Sequence, residues 1–138
     1  MSPARSKAFA ILERVERGAF ASDLLREATD LDARDAALAS TIVFGCLRFR
    51  AQLDFLIETL SGRPAEKLDS EVRTALRMGI YQLRCLDRVP SYAAVGESVD
   101  LVKRAGKRSA AGLVNALLRK VNRAVSYTHL TLPTNREV

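Results

Sequence analysis

The sequence predicts an all-α protein, a single compact bundle of about seven helices. Three observations carry that expectation. Apolar residues recur at i, i+3, i+4 and i+7 through most of the chain, the spacing that lines one face of an α-helix. Strict apolar–polar alternation, the mark of a half-buried strand, is almost absent. Residues that start and stop helices (Ser, Asp, Gly, Pro) fall between the apolar stripes and leave only short polar loops.

Ser2 followed by Pro3 reads as a cap with proline in the first helical turn, and Ala8, Ile11, Leu12 and Val15 then form the first stripe, closed by Gly18. Ala21 or Ser22 opens a short second helix through Leu24, Leu25 and Ala28. Asp32 caps a third, with Asp35 near its positive end, and Ala36, Leu38, Ala39, Ile42, Val43 and Phe44 make it nearly all apolar. Leu53, Leu56, Ile57 and Leu60 set a fourth stripe that ends at Ser61-Gly62. Asp69 or Ser70 begins a fifth helix with Val72, Leu76, Ile80 and Leu83 inward, running to about Leu86. Pro90 blocks continuation, and Ser91 is placed to cap a sixth helix carrying Val95, Val99 and Val102 up to Gly106. Ser109 starts a seventh in which Val114, Leu117, Leu118, Val121 and Val125 share a face. No fixed-period repeat is present, which argues against a solenoid.

From Ser126 to Val138 the pattern breaks, with no apolar stripe and a Pro133 that would stop a helix. The expectation is a helical domain over residues 1–125 and a non-native-looking tail over 126–138, of the kind left by cloning. The only histidine, His129, falls in that tail.

A chain of 138 residues, 48% hydrophobic and 28% charged, is sized for one soluble domain whose core needs no disulfide or metal. No apolar run approaches a membrane span and no signal-peptide core opens the chain, so the expectation is a cytoplasmic protein without a membrane partner. The two cysteines, Cys46 and Cys85, lack CxxC spacing and lie in apolar surroundings, as small core residues do.

The net charge of +6 has one origin. Up to Val102 cations and acids nearly balance, at 14 against 15. From Lys103 to Arg123 stand Lys103, Arg104, Lys107, Arg108, Arg119, Lys120 and Arg123, with no acid among them. At 100° per residue, Arg119, Lys120 and Arg123 lie opposite Val114, Leu118 and Val121, while Lys107 and Arg108 precede the helix start, where free N–H groups add to an anion site. A solvated charged face is the plain alternative, but an uncompensated cluster of one sign suits a polyanion, above all nucleic acid. A second basic patch at the first helix comprises Arg5, Lys7 and Arg14, with Arg17 beyond. Glu13 and Glu16 intervene there, and surface salt bridges explain those charges nearly as well.

Other chemistry is scarce. Tyr81 sits in an apolar run and reads as packed, and Phe9, Phe44, Phe49 and Phe55 read as core or half-buried, which leaves no evident platform for stacking bases. No Ser/His/Asp set assembles without His129, neither phosphate-cradling glycine motif occurs, and the carboxylates are scattered. The expectation is a chain without catalytic, cofactor or metal residues.

Five strings in order carry a resemblance. They are Val43-Phe44-Gly45-Cys46-Leu47-Arg48 with Gln52-Leu53-Asp54-Phe55-Leu56-Ile57, Leu76-Arg77-Met78-Gly79-Ile80-Tyr81-Gln82-Leu83, Arg88-Val89-Pro90, Ala93-Ala94-Val95-Gly96-Glu97-Ser98-Val99, and Gly112-Leu113-Val114-Asn115-Ala116-Leu117-Leu118-Arg119. From about Ala4 to Arg123 the chain resembles the NusB/RsmB RNA-binding domain family, whose members fold as a bundle of about seven helices. The family has two branches, a stand-alone transcription antitermination factor and the N-terminal domain of a methyltransferase acting on a cytosine at carbon 5 in small-subunit ribosomal RNA. Gln82 before Leu83, and Gly96 before Glu97, look more like the methyltransferase branch.

That resemblance implies RNA binding, with ribosomal RNA as partner. It implies that S-adenosylmethionine and a cysteine nucleophile belong to a catalytic domain absent from this sequence, so Cys46 and Cys85 inherit no role. It also implies RNA contact near the start of the first helix, at Arg5 and Lys7. The antitermination branch, with a ribosomal-protein partner, is the alternative. A helical adaptor binding an acidic protein is a further one.

Overall fold

A computed structural model describes residues 1–128, which form seven α-helices and two short 3-10 turns, with no strand among them. The helices are α1 (Pro3–Glu16), α2 (Ala21–Glu27), α3 (Ala33–Arg48), α4 (Arg50–Ser61), α5 (Ser70–Cys85), α6 (Ser91–Arg104) and α7 (Ala111–Thr128). The all-α expectation stands. Ser2 Oγ accepts from the Arg5 N–H at 3.4 Å, and Asp32 Oδ1 accepts from the Asp35 N–H at 2.8 Å, so both expected caps are formed. Gly62 closes α4 in the left-handed region (φ 73°), its N–H returning to the Glu58 carbonyl at 2.9 Å. Gly106 (φ 81°) likewise turns the chain after α6, so that the Lys107 N–H reaches back to the Val102 carbonyl at 2.8 Å.

α2 opens at Ala21 and α5 at Ser70, both as expected; Asp69 precedes α5 without a cap bond, its carboxylate facing Lys107 at 3.2 Å. Two starts and one end differ from expectation. Pro90 occupies the cap position of α6 without a side-chain bond, so Ser91 lies inside its helix. A 3-10 turn over Arg108–Ala110 delays α7, which then runs on to Thr128, past the expected limit at Val125. The rest of the expected tail, with His129, lies outside the described residues.

The core is organised around α5, which touches α1, α3, α4, α6 and α7. Its stripe of Val72, Leu76 and Ile80 is buried, yet so is every residue from Thr74 to Gln82. The expectation of a one-faced helix therefore understated α5, which is enclosed on all sides. Its polar members are satisfied by neighbours. Thr74 donates to Glu13 on α1 at 2.5 Å, and Arg77 donates through two nitrogens to Asp54 on α4, at 2.7 and 2.9 Å. Backbones approach closely where side chains are missing. The Tyr81 ring lies over Gly45 of α3, and Leu118 and Ser98 close over Gly79.

Candidate nucleic-acid interface

The basic segment spans the end of α6, the turn, and α7. Val114, Leu117, Leu118 and Val121 are buried against α5 and α6, and a helix that buries those positions must turn residues 119, 120 and 123 outward. Arg119, Lys120 and Arg123 are exposed accordingly. Lys103 and Arg104 end α6, where cations complement the helix dipole, and both are exposed, as is Arg108. Lys107 departs from the expected uncompensated cluster, because Asp69 pairs with it. Among the described residues, the other six cations make no ion pair; Arg119 only donates from Nε to Asn115 Oδ1 at 3.2 Å. The cations form two groups. From Ala111 to Arg119 the helix rises about 12 Å, which separates Lys103, Arg104 and Arg108 from Arg119, Lys120 and Arg123.

The patch expected on α1 is only partly assembled: Arg14 and Arg17 are exposed and make no ion pair among the described residues, while Arg5 and Lys7 are committed elsewhere. Arg5 is only 8% exposed, with Nε on Gln82 Oε1 at 2.6 Å and Nη1 on Glu97 Oε2 at 3.1 Å. It staples α1 to α5 and α6, and that commitment removes it from any phosphate surface. Lys7 is half-buried and pairs with Asp30 at 3.2 Å. Glu13 and Glu16 do not neutralise the outer face of α1 either. Glu13 is buried, accepting from Ser70 and Thr74, and Glu16 accepts from Arg73 at 2.8 Å and faces Arg50 at 3.3 Å.

α6 and α7 pack side by side, and the first turns of α6 face the later turns of α7 across an open groove of about 310 Å³. Tyr92, Val95 and Gly96 line one wall, and Asn115, Arg119 and Asn122 the other. Sequence reasoning missed this groove. The available signal was the i, i+4, i+7 spacing of Asn115, Arg119 and Asn122 on the helix already marked as basic. It also placed the aromatics too deep. Phe49 is buried and Phe9 half-buried, but Phe44 is 49% exposed and Phe55 66%, because each falls outside the stripe its helix buries; Tyr92, for which the sequence set no depth, is 80% exposed. Cys46 is fully enclosed, and burial pushes its thiol far above the ordinary value, as the core reading of that residue requires.

The family model described as the NusB family matches residues 2–123. The chain belongs to the NusB family. NusB from Aquifex aeolicus in solution is 28% identical with a TM-score of 0.73, the match covering 94% of this chain and 91% of that one. The structure of antitermination factors NusB and NusE in complex with dsRNA is 27% identical with a TM-score of 0.78, covering 88% and 94%. Among curated proteins, the "Probable ribosomal RNA small subunit methyltransferase B" of Synechocystis is 37% identical over 128 residues, 90% of this chain and 29% of that protein. The ribosomal RNA small subunit methyltransferase B of Pseudomonas putida is 36% identical over 102 residues, 74% and 23% respectively. The chain thus spans about a quarter of the length of the curated relatives it matches.

The strings that carry the NusB resemblance mostly build the frame. Gly45 and Tyr81 meet in the core, and Gln82 and Glu97 hold Arg5. The last string, with Asn115 and Arg119, reaches the basic face, and the fourth lines the opposite wall of the groove through Val95 and Gly96.

Proposed function

We propose that this chain is the RNA-docking module of a ribosomal RNA cytosine-C5 methyltransferase, and that it contributes binding rather than chemistry. The observation that carries this reading is the exposed set Lys103, Arg104, Arg108, Arg119, Lys120 and Arg123, unpaired by acids among the described residues. Cations held at separate points on a rigid ridge release counterions when they meet a phosphate backbone. The curated relatives, named for methylation of small-subunit ribosomal RNA and several times longer, support assigning methyl transfer to the part of such proteins that this chain does not match. S-adenosylmethionine would bind there. The groove between α6 and α7 does not fit it, since Arg119 lines that groove and no acid there meets the cofactor's sulfonium and ammonium charges. On this reading the protein works in the cytoplasm, where ribosomal RNA is assembled and modified in the bacteria its curated relatives come from. In the test, Arg119→Glu/Arg123→Glu weakens binding to a ribosomal RNA hairpin. It also makes the dependence of log K on log salt shallower by about 1.4. A slope equal to the wild type's refutes this face as the docking surface.

A second reading rests on the NusB–NusE–dsRNA neighbour, in which a NusB-family chain assembles with a protein as well as RNA. Under it the chain is an antitermination factor, and a ribosomal-protein partner binds it in solution without any methyltransferase part.

A further inference from the structure

We infer that the groove between α6 and α7 receives one unpaired nucleotide, with the base on the Tyr92 ring, its edge on the amides of Asn115 and Asn122, and its phosphate on Arg119. This rests on the RNA-docking reading above and specifies what is docked. Tyr92 leaves 80% of its surface in solvent at the groove's rim, so it serves no core packing, and every base offers a face to such a ring. The opposite wall carries the groups a base edge needs. Arg119 Nε bonds Asn115 Oδ1 at 3.2 Å, which orients the guanidinium and leaves its terminal nitrogens and the Asn115 amide N–H groups for a ligand. Asn122 makes no side-chain hydrogen bond among the described residues.

No acid lines the groove, which disfavours cationic ligands, and its volume of about 310 Å³ matches a single small ligand. Gly96 keeps it open, for a Cβ there would meet nothing within 4 Å. A strand leaving the groove then passes Arg123, one turn beyond Arg119 and exposed, for its next phosphate. Paired bases are excluded, since a duplex presents its edges only inside grooves and its faces not at all. The groove therefore reads single-strandedness, while the cations read charge.

The test compares two RNAs with the same stem, one fully paired and one carrying a single bulged 2-aminopurine. The wild-type chain is expected to bind the bulged RNA about tenfold tighter and to quench the 2-aminopurine fluorescence. Tyr92→Ala and Gly96→Leu are expected to abolish both the preference and the quenching while binding the paired stem as the wild type does. Gly96→Leu places its side chain in open space on a helix, so its circular-dichroism melting curve is expected to match or exceed the wild type's. Equal wild-type binding of the two stems, without quenching, overturns the nucleotide site and leaves RNA docking intact. Failure to bind either stem at low salt overturns the docking reading itself. Loss of acidic-peptide binding in Gly96→Leu, with the bulge preference unchanged, assigns the groove to a protein segment and also overturns the proposal.

Discussion

Gly45 shows how much one residue constrains its surroundings. The Tyr81 ring occupies the space where any larger residue would carry its Cβ, and that ring in turn stacks on Phe49 with centroids 6.2 Å apart. An added methyl cannot be met by a small side-chain rotation, because the Tyr81 ring in its way is itself buried, on a helix enclosed at this level. Gly45→Ala is therefore expected to cost about 1–3 kcal/mol, read from the midpoint of urea unfolding. Gly112→Ala supplies the contrast, since its Cβ would meet nothing within 4 Å, and it should leave the midpoint unchanged or slightly higher. The same close contact joins the strings around Gly45 and Tyr81: each supplies half of it. Arg5 teaches the reverse lesson. In the sequence it is a cation near a helix start, like Lys7. Only its partners, Gln82 and Glu97, distant along the chain, reveal it as a staple.

Among the elements, α1 docks on α5 through charge as well as through Ala8, Ile11 and Leu12. Glu16 is the hub, with Arg73 at 2.8 Å, Arg50 at 3.3 Å and Arg77 at 3.9 Å. Burial pushes its carboxyl up, but the Arg73 hydrogen bond and the charges of Arg50, Arg77 and Arg73 more than offset that, and it titrates below its ordinary value of 4.5. In the unfolded chain Glu16 takes up a proton first as pH falls, so its stabilisation is complete above about 4.5 and is lost as pH drops through the lower folded value. Glu16→Gln is expected to cost about 1–3 kcal/mol at pH 7, and thermal melts should show that gap closing below pH 4.5. The helices themselves were largely legible from stripes and breakers, because local spacing and caps decide where a helix runs. What enclosed α5 was not legible. Its Arg77, Thr74 and Gln82 look like surface residues until α1 and α4 bring Glu13, Glu16 and Asp54 against the first two and Arg5 against Gln82.

For the whole molecule, the placement of charge matters more than its sum of +6. The 14 cations and 15 acids before Val102 nearly cancel in number, and six of those cations are paired among the described residues, as at Glu16, Asp54, Glu97 and Asp30, so that part of the bundle carries no net positive charge. The C-terminal cations were legible as a cluster, since nothing in that stretch opposes them. Their division into two groups was not, because it depends on α6 and α7 lying side by side with the turn at one end. The loss of Lys107 to Asp69 was hidden too, for Asp69 reads as a helix cap until the turn is folded against it. The rise of α7 from its start to Arg119, about 12 Å, exceeds the Debye length of about 8 Å at physiological salt, so each group should meet its own phosphates with little influence on the other. Additivity follows. Lys103→Glu/Arg104→Glu and Arg119→Glu/Arg123→Glu should each make the salt slope of RNA binding shallower by about 1.4, and the quadruple variant should lose the sum of both. A quadruple variant no weaker than one double variant would mean that a single group touches RNA, and the strand would then cross α7 instead of running along it.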